Sequence, residues 1–247
     1  MSRPLSVVIL AAGKGTRMDS SIPKVLHHLG GIPMIQHVVN TAKKLNAEHI
    51  IPILGYKSEK IKETLAKESL QYAIQNEQLG TAHAVMQSKD ALINFNGNVL
   101  ILYGDVPLIS AETLQDLLDV HNNQDAHGTV LTADLDNPKG YGRIIRNKDG
   151  NLAKIVEQSD STEEELKVQE INSGIYVFKS WILFNLLPMV NNKNSQQEYY
   201  LPDVINLILN NNDKVAIKKS TNFVEVEGIN DIIQLNKMNE YYEKQKK

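Results

Sequence analysis

The chain has 247 residues, of which 42% are hydrophobic and 22% charged, the balance of a globular protein with a sizeable core and a length that suits one large α/β unit. A formal net charge of −3 excludes a general nucleic-acid binder, which carries an excess of Lys and Arg, but leaves room for an anionic small substrate held by a local basic cluster. With no cysteine, disulfides, thiolate metal sites and a thiol nucleophile are excluded.

The first apolar run, Leu5 to Ala12, ends in Gly-Lys-Gly without a small-residue cleavage site, so it reads as a buried strand and not as a signal peptide. No apolar stretch reaches the roughly 18 residues of a membrane helix, so a cytoplasmic location without membrane partners is expected. Within this run Ser6 to Ala11 is a continuous β-branched stretch, as in a strand buried on both faces. Met34-Ile35, Val38-Val39, Ala42 and Leu45 recur at helical spacing, with Pro33 in the first turn. Ile50 to Leu54 predicts a strand, Ile61, Leu65 and Ala66 a helix, Tyr72 to Gln75 an extended segment and Thr81 to Leu92 a helix. Asn98 to Tyr103 is the next buried strand, and Ser110 caps a helix through Val120.

This βαβαβα rhythm predicts an α/β fold: a Rossmann-like, mainly parallel (mixed) sheet with helices on both faces. Ligands in such sheets sit beyond the carboxyl ends of the strands, here the loops after Leu10 and Tyr103. The second half changes character. Gly128 to Leu135, Gly142 to Asn147, Leu152 to Val156 and Ile171 to Phe178 read as strands, with Asp149-Gly150 a hairpin turn, in an antiparallel or mixed extension closing over the site. Thr162 to Glu165 reads as a capping box at the start of a solvated surface helix. Tyr199 to Leu209 is then predicted helical, Lys214 to Lys218 and Phe223 to Val226 as strands, and Ile229 onward as a last helix ending in a frayed polar tail, Glu243 to Lys247.

Four segments carry chemistry. Leu10-Ala-Ala-Gly-Lys-Gly-Thr-Arg-Met18, followed by Pro23-Lys24, puts small residues after a strand, where backbone N–H groups can approach phosphate oxygens. Lys14, Arg17 and Lys24 add positive charge, Arg as a bidentate fork and Lys as a point charge. A P-loop is excluded because the Lys precedes the second Gly, and the dinucleotide fingerprint because Met18 stands where a third Gly or Ala belongs. Tyr103-Gly104-Asp105-Val106-Pro107-Leu108 ends a buried strand on a lone carboxylate, suited to Mg²⁺, which takes one or two protein oxygens and completes its shell from phosphate and water. The rival reading, Asp105 as a helix cap, loses to Ser110. Gln75-Asn-Glu-Gln-Leu-Gly-Thr81 offers an amide able to read a base edge. Finally Gly140-Tyr-Gly-Arg143, Glu157, Glu170-Ile-Asn172-Ser-Gly174, Glu198-Tyr-Tyr200 and Glu225-Val-Glu-Gly-Ile-Asn230 place sugar-binding types at strand ends, each by itself explicable as turn chemistry. His27, His28 and His83 lack metal spacing and read as structural or surface residues.

Together, and in this order, the segments resemble the uridylyltransferase half of the bifunctional bacterial enzymes that make UDP-N-acetylglucosamine, over about Leu5 to Glu240. The resemblance implies uridylyl transfer from UTP to N-acetylglucosamine 1-phosphate, with Mg²⁺ as cofactor and pyrophosphate released. It implies nucleotide contacts at Leu10, Ala11 and Gly13, uracil reading by Gln75 and the backbone at Gly80-Thr81, and Mg²⁺ held by Asp105 and Asn230. Gly140, Glu157 and Asn172 would grip the sugar, Tyr103 joins the substrate-binding set, and Arg17 and Lys24 would act on the triphosphate and pyrophosphate. The expected division is a nucleotidyltransferase domain at residues 1–228 and a helix at 229–247 resembling the start of the family's linker arm. No hexapeptide β-helix follows in this sequence, so neither acetyltransferase activity nor the family's trimer is expected. Pro202 stands where the family has Thr, an expected loss of a hydroxyl near the sugar site. The alternatives are a glucose-1-phosphate uridylyl- or thymidylyltransferase and a non-catalytic sugar-nucleotide-binding subunit.

Overall fold

In the computed structural model the described residues are 3–18 and 20–245. The first half builds β1 (Leu5–Ala11), a two-stranded hairpin of β2 (His28–Leu29) and β3 (Ile32–Pro33), α1 (Met34–Lys44), β4 (His49–Leu54), α2 (Ser58–Thr64), β5 (Ala73–Ile74), α3 (Thr81–Met86), β6 (Asn98–Tyr103) and α4 (Ala111–Asn123). The second half adds β7 (Gly128–Asp134), β8 (Gly142–Arg146), β9 (Leu152–Val156), α5 (Glu163–Leu166), β10 (Glu170–Lys179), α6 (Ser180–Leu186), α7 (Pro202–Asn210), β11 (Val215–Lys219) and α8 (Ile232–Gln245).

The large sheet runs β11-β7-β10-β6-β1-β4-β5, with the β8–β9 hairpin attached to β10. β1 lies parallel to β4 and β6, β4 to β5, and β7 to β11, whereas β10 is antiparallel to β6 and β7. The mainly parallel, mixed sheet expected from the sequence is thus observed. Alternation along β1 shows why its residues, Ser6 apart, are apolar. Val7 and Ile9 enter a core with Val38 and Val39 of α1 and Leu114 and Leu117 of α4. Val8 and Leu10 enter the opposite core with Val85 of α3, Leu183 of α6 and Val204 of α7. A strand with helices on both faces has no polar side to present.

A third, smaller cluster joins Met18, Leu29 and Met34 to Ile229, Leu235 and Met238, and so packs α8 onto the β2–β3 hairpin. The Asn239 side chain accepts from the Gly30 N–H at 2.8 Å. The expected boundary at residue 228 falls within this packing.

Several boundaries differ from expectation. The helix predicted over Thr81 to Leu92 ends at Met86, where the Ser88 hydroxyl turns back to the Val85 carbonyl at 2.7 Å, and a separate short turn covers Asp90–Leu92. Tyr199 is not helical, because its N–H donates to Leu79 O and its carbonyl accepts from Ala82 N; Pro202 then opens α7. Phe223–Val226 is a 3₁₀ turn and not a strand, held by the Asn222 side chain accepting from Val224 N. α6 was not read from the sequence. The last helix continues to Gln245 instead of fraying from Glu243, and Lys246 and Lys247 lie outside the described residues.

Candidate active site: two clefts joined at a lysine

The carboxyl ends of β1 and β6 lie side by side, since Leu10 pairs with Tyr103 and Gly104 N donates to Leu10 O at 2.9 Å. The chain leaves β1 through the Gly-rich turn. Gly15 is left-handed at φ 63°, and a Cβ there would collide with the Lys24 side chain. Glycine therefore lets Lys24 fold in over the strand ends. The Lys24 ammonium forms an ion pair with the Asp105 carboxylate and donates to Asn230 Oδ1 at 3.0 Å. Arg17 donates to the same Oδ1 at 3.0 Å.

Asn230 arrives from the far end of the sequence. Ile229 N donates to Asp105 O at 2.9 Å, which lays the segment before α8 against the end of β6. The Asn230 amide nitrogen is spent on Gly228 O at 3.2 Å, so its oxygen is the atom turned to Lys24 and Arg17.

Two clefts meet at this junction. One, of about 350 Å³, is lined by Leu10, Ala11, Gly13, Lys24, Gln75, Gly80, Thr81, Tyr103, Asp105 and Asn230. That single wall gathers the residues expected along a nucleotide. The other, of about 280 Å³, shares Tyr103, Asp105 and Asn230 and adds Arg17, Gly140, Glu157 and Asn172. All the residues assigned from the resemblance therefore lie in one of two adjoining clefts, at a scale proper to small ligands. Arg17 falls in the second cleft, toward the expected sugar phosphate.

In the second cleft Asn172 is oriented by its neighbours. Its Oδ1 accepts from the Tyr176 hydroxyl at 2.8 Å and from Gly174 N at 3.2 Å, leaving the NH₂ to donate. Gly174 has φ 83°, and a Cβ there would stand 2.7 Å from the Tyr103 ring, so the ring seats directly on backbone. Burial, followed by the charges of Asp203, Asp160 and Glu198, pushes the Glu157 carboxyl up to about 7. Burial and the nearby charges of Glu157 and Asp105 raise the Tyr103 phenol, whose hydroxyl is bonded to the Thr81 side chain.

Other expectations need correction. Gln75 was expected to read a base edge with its amide, but the amide nitrogen already donates to Gly80 O at 3.1 Å and faces His83 Nδ1 at 3.0 Å. Its carbonyl is what remains. The Gly140 N–H is engaged by Gln158 Oε1 at 2.5 Å. Glu225 caps α4, accepting from Ser110 and Thr113, and Glu170 pairs with Arg146 and Thr132. Arg143 is buried and donates to Tyr141 O. None of these three joins the clefts. Glu198 lines the nucleotide cleft, not the sugar cleft as expected. Pro202 lines neither of these clefts but a neighbouring one that shares Glu157 with the second. The clefts also recruit Gln78, Tyr141 and Gln234. Gln78 and Tyr141 sit within segments quoted above, Gln75 to Thr81 and Gly140 to Arg143, whereas nothing in the local sequence marks Gln234.

Among the described residues no three His, Asp or Glu side chains cluster as a metal cage. Asp105 and Asn230 nevertheless suit Mg²⁺, because a cation, the Lys24 ammonium, already bridges their oxygens, and this metal needs few protein ligands.

A cation at the joint of two clefts, beyond the carboxyl ends of parallel strands, belongs to a class of nucleotide-binding α/β proteins built to handle phosphate. The chain matches the nucleotidyl transferase family over residues 6–239 and belongs to that family. It is 48% identical over 239 residues to the bifunctional protein GlmU of Bacillus licheniformis, covering 97% of this chain and 52% of the relative. It is 47% identical to the bifunctional protein GlmU of Staphylococcus carnosus, covering 93% and 50%. The chain thus spans about half the length of the curated relatives it matches, and the resemblance read from its motifs is borne out. Among solved structures, a UDP-glucose pyrophosphorylase complexed with UDP-glucose superposes with a TM-score of 0.79 at 18% identity, covering 99% of this chain and 100% of that one. A putative glucose-1-phosphate thymidylyltransferase from Bacillus anthracis gives 0.73 at 22%, covering 96% and 94%. These two support the fold alone.

Proposed function

We propose that the chain transfers the uridylyl group of UTP to N-acetylglucosamine 1-phosphate, giving UDP-N-acetylglucosamine and pyrophosphate. The observation that carries this reading is the joint: two clefts, one holding the expected base-reading residues and one rich in sugar-binding groups, share Tyr103, Asp105 and Asn230, and Lys24 on the nucleotide side bridges Asp105 and Asn230. Two anionic substrates brought together there meet at the phosphates. The relatives at 48% and 47% identity support the same reading.

A sugar phosphate has a second pKa of about 6 and is already a dianionic nucleophile near neutrality, so no general base is needed. Its oxygen attacks the α-phosphorus of UTP in line, and the bond to the β-phosphate oxygen breaks. Lys24 lies where negative charge gathers, and Arg17, held on Asn230, presents its guanidinium toward the incoming sugar phosphate. Asn172 donates to the sugar, and Glu157 offers a carboxyl to its hydroxyls. Mg²⁺, held by Asp105 and Asn230, would supply further neutralisation of phosphate charge. Residues 1–228 form the catalytic unit in this proposal, with Asn230 supplied from just beyond it. A cytoplasmic reaction is part of this proposal. Among the described residues no helix is long and apolar enough to cross a membrane.

The test is a panel of initial rates of pyrophosphate release, with UTP, CTP and dTTP against N-acetylglucosamine 1-phosphate and glucose 1-phosphate. The proposal expects the UTP and N-acetylglucosamine 1-phosphate pair to lead by at least tenfold in kcat/KM. Equal or faster turnover of glucose 1-phosphate contradicts the sugar assignment.

A further inference from the structure

Gln75 lines the nucleotide cleft, yet it is 3% exposed, and its amide nitrogen is fully committed. One N–H points at Gly80 O, 3.1 Å away, and the other at His83 Nδ1, 3.0 Å away. A main-chain carbonyl can only accept, so the amide atom facing Gly80 must be the NH₂ group. The same atom then faces His83, so Nδ1 must offer its lone pair and the ring proton must sit on Nε2. That N–H meets the half-buried Gln87 amide, whose nitrogen lies 3.3 Å from Nε2 and 2.8 Å from the His83 carbonyl. The shorter of the two ring contacts, 3.0 Å at Nδ1 against 3.3 Å at Nε2, assigns the acceptor to Nδ1, while the Gln87 amide is committed to the His83 carbonyl. The His83 ring is steadied from the other side by Tyr199, at 6.4 Å between centroids. The Gln75 Oε1 has no partner among the described residues, and it is the one polar atom of the side chain left for a ligand in the cleft.

We propose that His83 is a positioning residue for base selection: its neutral Nδ1 locks the Gln75 amide so that only a hydrogen-bond acceptor faces the nucleobase. The proposal rests on the reading of the first cleft as the nucleotide site. Uracil carries a donor, N3–H, on its pairing edge, and cytosine carries an acceptor at N3. A fixed carbonyl bonds the first and opposes the second. An amide free to turn serves both, because rotation about its last bond exchanges donor for acceptor. Selectivity for uracil therefore depends on what stands behind Gln75. Thymine shares the N3–H of uracil, so the lock does nothing to separate UTP from dTTP.

The experiment measures nucleotide affinity without sugar phosphate, by competition of UTP, CTP and dTTP, so that an error in the assigned sugar leaves it intact. His83→Leu removes the acceptor, and His83→Asn retains one near the Nδ1 position. His83→Leu should narrow the UTP/CTP affinity ratio by about tenfold, the worth of one oriented hydrogen bond. His83→Asn should keep the ratio within about threefold of wild type, and the UTP/dTTP ratio should hold in both. A His83→Leu variant as selective as wild type overturns the lock, as does a His83→Asn variant that loses selectivity equally. A wild type that binds UTP and CTP alike overturns the reading of the cleft instead. Should His83→Leu fail to fold, the long-range ¹H–¹⁵N spectrum of the wild type decides: Nδ1 must be the unprotonated ring nitrogen, and a protonated Nδ1 rules the proposal out.

Discussion

Asp105 and Glu157 are both acids in the paired clefts, and their surroundings set them apart. Asp105 faces a cation, the Lys24 ammonium, across an ion pair that is only partly open to solvent. Asp105→Asn keeps the shape and removes the charge that pairs with Lys24 and that would hold the proposed Mg²⁺. We expect kcat to fall by about two orders of magnitude, the usual cost of losing one preorganised charge interaction, with thermal stability nearly unchanged. Near-normal turnover at limiting Mg²⁺ would contradict the role. Glu157 lies among Asp203, Asp160 and Glu198 with its carboxyl pushed up to about 7. Its folded affinity for a proton exceeds that of the unfolded chain, so raising the pH from about 4.5 to about 7 costs native stability, and the loss then levels off. Ionisation would also set a negative charge beside the proposed dianionic sugar phosphate. KM for the sugar phosphate should climb as the pH passes 7, and Glu157→Gln should flatten both profiles. A pH-independent wild-type KM between pH 6 and 8.5 speaks against this. Strand-end residues such as Asp105 were legible in the sequence, because a carboxylate after a buried apolar run has few other uses. The commitment of the Gln75 amide was not, since it is decided by the Gly80 carbonyl and the His83 ring, which only the fold brings to bear.

At the scale of elements, β10 illustrates how a strand is bent to serve a site. Its register against β7 shifts between Asn172 and Tyr176, and Gly174 lies in that irregularity at φ 83° with the Tyr103 ring against its backbone. Gly174→Ala meets both penalties, a left-handed backbone and a methyl pressed on the ring, and should lose about 1–3 kcal/mol of stability. Activity should fall with it, since Tyr103 lines both clefts; denaturant unfolding and kcat/KM measured together check this, and an unaltered midpoint would show that the strand can relax. The buried strands were easy to read because a strand covered on both faces carries a continuous apolar run, as residues 7–11 of β1 and 99–102 of β6 do. Short segments were harder. Phe223–Val226 is as β-like in composition as a real strand, but Asn222 and Glu225 commit it to a turn beside α4. Tyr199 looked helical, and main-chain pairing with Leu79 and Ala82 decided otherwise.

Across the whole molecule, the site depends on one body holding together parts remote in sequence, and its stability carries a pH signature. His121 is buried with its Nδ1 2.7 Å from the Thr129 hydroxyl. Burial first, then the charges of Lys179 and Arg3, push it down to about 4. The unfolded chain takes up a proton near pH 6.5 that the native one refuses, so stability is full above 6.5 and is lost as the pH falls toward 4. His121→Asn should lessen that acid loss, as followed by melting temperature between pH 4 and 7. An acid limb identical to wild type would assign the loss to other groups.

The central claim is that the two clefts bring a nucleotide and a sugar phosphate together for transfer at the α-phosphorus. It is tested most directly by following label from UTP in the presence of N-acetylglucosamine 1-phosphate and Mg²⁺. Label at the α-phosphate should pass into UDP-N-acetylglucosamine, and label at the γ-phosphate should leave as pyrophosphate, one for one. γ-Label appearing in orthophosphate or in the sugar product, or α-label remaining in UTP, UDP or UMP, would contradict the account.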